Sequence, residues 1–167
     1  MLSGRATVAT SSGRVVQINV SKGGVPKRPV PAAQVTRGGV AGDRQRDLRY
    51  HGGPERAVSC FALEVIERLA REGHPIAPGT TGENLTLAGL DWPRVRPGAR
   101  LLFAGGVELE VTSFASPCGN IRGSFKGGEI ERLSDKRHPG ESRVYCRVLS
   151  EGEVRTGESV QLANGTA

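Results

Sequence analysis

Val107-Glu108-Leu109-Glu110-Val111 alternates apolar and charged side chains without interruption. That period of two predicts a strand with one face buried and one face wet. Pro117 must end it, because proline lacks an N–H for the ladder and confines Ser116 to extended geometry. Cys118 is therefore expected just past a strand end, on a loop held by a rigid sheet, where functional side chains often stand. A helical turn beginning at Cys118, with free N–H groups and Arg122 one turn on, would favour the thiolate, the form that attacks or ligates metal. A free cysteine is also commonly just a small buried hydrophobe. The local pattern leaves both readings open.

The rest of the chain repeats the strand logic. Residues 13–20 read as a first strand with Val16, Ile18 and Val20 on one face. Shorter strands are predicted at 32–36, 56–61, 100–103, 107–112, 143–149 and 158–162, and residues 80–87 lead from loop into another. Pro26, Pro29 and Pro31 keep their segment extended but exclude a central strand. One helix stands out over 62–72, where Ala62, Val65, Ile66 and Leu69 form a single apolar stripe. Glu64–Arg68 and Glu67–Arg71 are spaced to pair along it, and Gly73 suits its C-terminal cap. Residues 119–142 suit a short helix, and Glu151-Gly152-Glu153 a turn. The 24 glycines, 10 prolines and 4% aromatic content fit many short strands better than a helical bundle. The predicted fold is mostly β with some α: an antiparallel barrel of seven or eight strands with a few flanking helices. It is expected as one domain over 13–163, preceded by a flexible extension at 1–12.

Charge is concentrated. Of the net +6, residues 22–56 carry +5, from Lys22, Lys27, Arg28, Arg37, Arg44, Arg46, Arg49 and Arg56 against Asp43, Asp47 and Glu55. Such a segment suits a phosphate, another oxyanion or nucleic acid, or is simply a solvated basic face. Arg37, Arg44 and Arg46 are the leading anion-site candidates, with backbone N–H donors from the Gly-rich loops at 38–42 and 52–53. Neither loop is a P-loop, since the Gly-Lys-Ser/Thr ending is missing. The three cysteines are far apart and odd in number, which disfavours a disulfide framework and suits a reducing, cytoplasmic setting. Cys60, Cys118 and Cys146 lack C-x-x-C spacing, and His51, His74 and His138 form no H-x-x-x-H pair. His51 is a candidate base or a structural cap for its own loop. Glu83 and Asn84 stand where they could orient a ligand or satisfy local backbone groups. No run is long and apolar enough to span a membrane.

Taken in order, Gly42-Asp43, His51-Gly52-Gly53-Pro54, Gly79, Gly82-Glu83-Asn84-Leu85-Thr86, Gly89-Leu90-Asp91, Pro117-Cys118 and Arg143-Val144-Tyr145-Cys146-Arg147-Val148-Leu149 resemble the MOSC domain. That domain is found at the C-terminus of molybdenum cofactor sulfurases and in stand-alone bacterial proteins. The stand-alone type is the better match, because nothing here resembles the pyridoxal-phosphate-dependent part of the full sulfurases. The resemblance implies a β-barrel with a cysteine that carries sulfur or ligates the molybdenum of a pterin cofactor, and it places that cysteine at Cys118. It implies cofactor contacts at Arg37, Asp43, Arg44, Arg46, His51, Gly52, Glu83, Asn84 and Arg122. The cofactor's phosphate would give the basic segment a ligand. Related members reduce N-hydroxylated bases and amidoximes with electrons from partner proteins, which implies a small-molecule substrate and an electron-donor protein here. One departure is the absence of a basic residue at Ala115 or Ser116, for which Arg122 and Lys126 would substitute.

Two functions of different class follow. One is a molybdenum-dependent N-reductase or sulfur carrier working through Cys118. The other is a non-catalytic basic β-barrel module that binds nucleic acid or another anion. Only seven aromatic residues are present, too few for an easy base-stacking platform, and this disfavours nucleic acid.

Overall fold

The computed structural model describes residues 9–44 and 53–164. In chain order the strands are β1 (Ala9–Val20), β2 (Arg28–Val30), β3 (Ala32–Thr36), β4 (Gly39–Val40) and β5 (Val58–Ala62). Helix α1 (Leu63–Arg71) follows at once, then β6 (Leu85–Ala88), β7 (Arg100–Phe103) and β8 (Glu108–Phe114). After several short 3-10 turns come β9 (Val144–Ser150), β10 (Gly152–Arg155) and β11 (Ser159–Ala163).

Seven strands close a barrel in the order β1-β11-β7-β8-β9-β5-β6 and back to β1, with β2 added along the free part of β1. Every neighbouring pair is antiparallel except β5 and β6, which run parallel. The barrel is thus mixed rather than purely antiparallel. The cause is α1: it starts directly after β5 and carries the chain back, so that β6 enters in the same direction, as a strand–helix–strand unit requires. A second, three-stranded sheet, β10-β3-β4, adds Val35, Val40 and Val154 to the same core. Its β10 occupies the stretch expected to be only a turn.

Strand β1 begins at Ala9, inside the expected flexible extension, and Ser11 to Arg14 pair with β11. Its inward face also differs from the expected one. The register against β6 shifts between Val15 and Gln17, so Val15 and Ile18 are fully buried while Val16 and Val20 are only half-buried. One extra residue in a strand moves every later side chain to the other face.

The core is built from Ile18, Leu85, Leu87, Leu101, Leu109 and Leu162, with Phe61 buried on the other face of β5, and α1 adds Val65, Ile66 and Leu69. The stripe predicted from the sequence is this buried face. Helix α1 ends as expected at Gly73, where φ is +100°: His74 N–H bonds the Leu69 carbonyl and Gly73 N–H that of Ala70, the paired bonds of a Schellman cap. Its charges turn outward to other elements. Glu64 accepts the Gly89 N–H, and Arg68 pairs with Glu141. Among the described residues no helix is long and apolar enough to cross a membrane.

Candidate functional site

Strand β8 runs to Phe114, and Ala115 N–H still bonds the Arg143 carbonyl beside it. Ser116 and Pro117 then lead the chain off the sheet. Cys118 is extended (φ −134°, ψ 167°) and caps a 3-10 helix, Gly119–Ser124, whose first bond runs from Ile121 N–H to the Cys118 carbonyl. The cysteine is half-buried and lines an open pocket. Around it stand Lys27 and Arg44 from the basic segment, Ser59 of β5, Thr81 of the loop before β6, Ile121 of the 3-10 turn, and Arg143 and Tyr145 at the head of β9. The pocket is open to solvent, with a cavity volume of about 50 Å³.

The charges in this pocket are unequal in effect. Lys27 Nζ lies 2.6 and 2.7 Å from the two Asp43 oxygens, and both side chains are 5% exposed. The carboxylate also accepts the Ser21 N–H and the Asn84 side-chain amide at 2.9 Å. This pair neutralises itself within the fold. Arg143 is different: it is 7% exposed, with Nη1 bonded to the Thr81 carbonyl at 2.8 Å, Nη2 reaching the Ser116 carbonyl at 3.4 Å, and a buried Nε that meets no hydrogen-bond partner. Burial pulls its pKa down, and the nearby Tyr145, Glu83 and Cys118 act against that. Burial likewise raises the Tyr145 hydroxyl, opposed by Arg143 and by Arg56, whose guanidinium sits 5.6 Å from the ring centre.

The wall behind the pocket is a satisfied polar network. Glu83 is fully buried, and its oxygens accept the Gly79 N–H and the Thr81 and Thr86 hydroxyls at 2.9–3.0 Å. Burial raises its pKa despite these bonds. Asn84 accepts the Ser59 N–H and donates to Asp43, and Asn19 bridges the Glu83 carbonyl and Thr86. Gly79 (φ +86°) lets the loops touch, since a Cβ there would stand 2.5 Å from the Lys27 carbonyl.

Of the residues singled out from sequence, Cys118 and Arg44 line the pocket. Asp43, Glu83 and Asn84 lie in the wall, bonded to the chain's own groups. Arg37 sits on the exposed β3–β4 turn facing Glu151, and Arg122 is exposed with its stem against Gly128; neither lines the pocket. Arg46, His51 and Gly52 lie outside the described residues. Sequence reasoning missed Arg143, Tyr145, Ser59 and Thr81. A cation immediately before the apolar run Val144-Tyr145-Cys146 was the available signal for Arg143. Cys60 and Cys146 are fully buried, as expected of packing residues, and a hydrogen bond between them, together with burial, pushes the Cys60 thiol up.

A barrel of this topology with one half-exposed cysteine at the head of a basic pocket defines a recognisable class. A model of the MOSC domain matches residues 47–161, and the chain belongs to that family. It is 34% identical to the uncharacterized protein YflK of Bacillus subtilis, over 83% of this chain and 62% of that protein. It is 30% identical to the protein YiiM of Escherichia coli, over 75% and 57% respectively. The chain thus spans less than two thirds of the length of these curated relatives. Among solved structures, the YuaD protein of Bacillus subtilis superposes with a TM-score of 0.73 at 18% identity, covering 95% of this chain and all of that one. YiiM of Geobacillus stearothermophilus gives 0.66 at 26% identity, covering 90% and 74%.

Proposed function

We propose that the pocket holds a molybdenum-pterin cofactor through Cys118 and that the protein acts in sulfur transfer or in the reduction of N-hydroxylated compounds. The observation that carries this reading is the placement of Cys118: a MOSC barrel presents one half-exposed thiol in a basic pocket, while its other two cysteines are sealed in the core. Thiolate sulfur is a soft ligand suited to such a metal. Among the described residues no group of three or more His, Cys, Asp or Glu could hold a metal ion. A metal retained at Cys118 would therefore bring other ligands with it, as a pterin dithiolene does.

Bound there, the cofactor supplies two-electron chemistry or a transferable sulfur. The chain's own residues prepare the place. Arg44 and Arg143 offset negative charge, Ile121 and Val25 supply apolar lining, and Tyr145 completes the wall beside Arg143. In the reductase form the electrons come from a partner protein. The test is metal analysis after expression in a cofactor-competent host. Wild type should retain molybdenum, and Cys118→Ala should lose it together with any N-reductase activity at nearly unchanged thermal stability. A Cys118→Ala protein that keeps metal and activity overturns the reading.

A further inference from the structure

We propose that the pocket beside Cys118 is a binding site for the anionic group of a small ligand, an oxyanion or carboxylate, with Arg143 as its principal cation. The inference needs no cofactor and stands if the molybdenum reading fails.

One buried charge in the pocket is left over. A guanidinium keeps its proton in any protein. Placing one out of water is costly unless an opposite charge and a full set of acceptors meet it. Lys27 meets that condition through Asp43, so it contributes little net field to the pocket. Arg143 does not. Among the described residues it forms no ion pair; its acceptors are two neutral carbonyls, one at a long 3.4 Å, and its Nε bonds to nothing. The nearest acid in its network is Glu83, and Thr81 stands between them, giving its carbonyl to Arg143 and its hydroxyl to Glu83. That carboxyl is sealed in the wall with its own donors, a separated countercharge rather than a partner.

Arg143 nevertheless lines the open pocket, together with Arg44, Ser59 and Cys118. An anion entering there gains a desolvated guanidinium and a second cation at the rim. The weak Nη2 contact to Ser116 is the one it displaces or shares. Low-dielectric walls concentrate such a field at the pocket, whereas the same charges on a flat face would be screened.

Cys118 is a built-in reporter. Its thiolate displaces iodide from iodoacetate, which is anionic, or from iodoacetamide, which is neutral. Rates would be measured on the full chain by peptide mass spectrometry at constant pH and ionic strength. The iodoacetate-to-iodoacetamide ratio at Cys118 should exceed that of N-acetylcysteinamide by about tenfold. Inorganic phosphate should slow the iodoacetate reaction more than chloride of equal ionic strength. Arg143→Gln should bring the ratio down towards that of the small thiol, and Arg143→Lys should keep most of it. A wild-type ratio no higher than that of the free thiol, or phosphate that competes no better than chloride, overturns the proposal. These two readings use the wild-type chain, so they decide the matter even if Arg143→Gln does not fold.

Discussion

The segment that carries Cys118 buries Ile121, Phe125 and Leu133 in the core, and Arg132 is the centre of an ionic attachment beside them. Its Nε and Nη2 meet the two Glu72 oxygens at 3.0 and 2.9 Å, and Nη1 bonds Glu141, which also binds Arg68 on α1. Arg132→Ala removes both links. Glu72 is 41% exposed, so its bidentate pair is discounted for solvent to less than about 1 kcal/mol. Arg132 and Glu141 are 16% and 18% exposed, and a charge-assisted hydrogen bond of that kind contributes about 1.5–3 kcal/mol. Glu141 keeps Arg68 in the variant, so the lower end applies. The expected loss is about 2 kcal/mol, or about 4–8 °C in Tm for a domain of this size. The pH dependence has a definite sign. The Arg132 hydrogen bond lowers the Glu72 pKa from its ordinary 4.5. Burial alone would raise Glu141, but its bonds and attraction to Arg132 and Arg68 outweigh burial and leave it lowered. Groups with depressed pKa stabilise the fold above their unfolded pKa and lose that contribution as pH falls through the folded value. The gap between wild type and variant should therefore be full at neutral pH and narrow below about pH 4.5. Urea denaturation across pH measures it without adding salt. A neutral-pH difference below about 0.5 kcal/mol, or a gap that widens in acid, would refute the reasoning.

Asp43→Ala leaves Lys27 buried without its partner and should cost about 3–5 kcal/mol, whereas Asp43→Ala with Lys27→Met should recover most of it; thermal unfolding distinguishes the two. Gly79→Ala requires a side chain at positive φ and 2.5 Å from a carbonyl, so it should destabilise by more than about 1 kcal/mol and reduce soluble yield. Brief alkylation of the native chain should label Cys118 before Cys60 or Cys146, both fully buried, and labelling of either core thiol first would contradict the assignment.

Local pattern carried the reading of the fold as far as local forces reach. β7 falls on residues 100–103 as expected, and α1 lies within the predicted 62–72, because a period-2 run and an i, i+3, i+4 stripe depend only on neighbours. The β1 bulge, the parallel β5–β6 pair and the strand at β10 depend on partners far along the chain, and no window of sequence contains them. The site divides the same way. Cys118 was legible from Pro117 and the strand before it. The cancelling of Lys27 by Asp43, the sealing of Glu83 by Thr81 and Thr86, and the isolation of Arg143 are spatial facts. The basic segment predicted an anion site by composition, yet among the described residues the buried cation left without an ion pair stands at the head of β9, outside that segment.

Barrel closure joins β1 to β11, whose paired residues Ser11 and Leu162 are separated by almost the whole chain. On a ribosome β1 therefore waits for its partner. At roughly 5–20 residues per second, that wait is on the order of ten to thirty seconds. Until β11 is made, one side of β1, and one side of β7 once it has emerged, present unpaired backbone groups, the kind of edge that recruits other strands. A nascent chain truncated before β11 keeps both edges open permanently. Such fragments should be sticky and short-lived in a cell, and the slow, non-local final pairing should set the pace at which the intact chain becomes soluble.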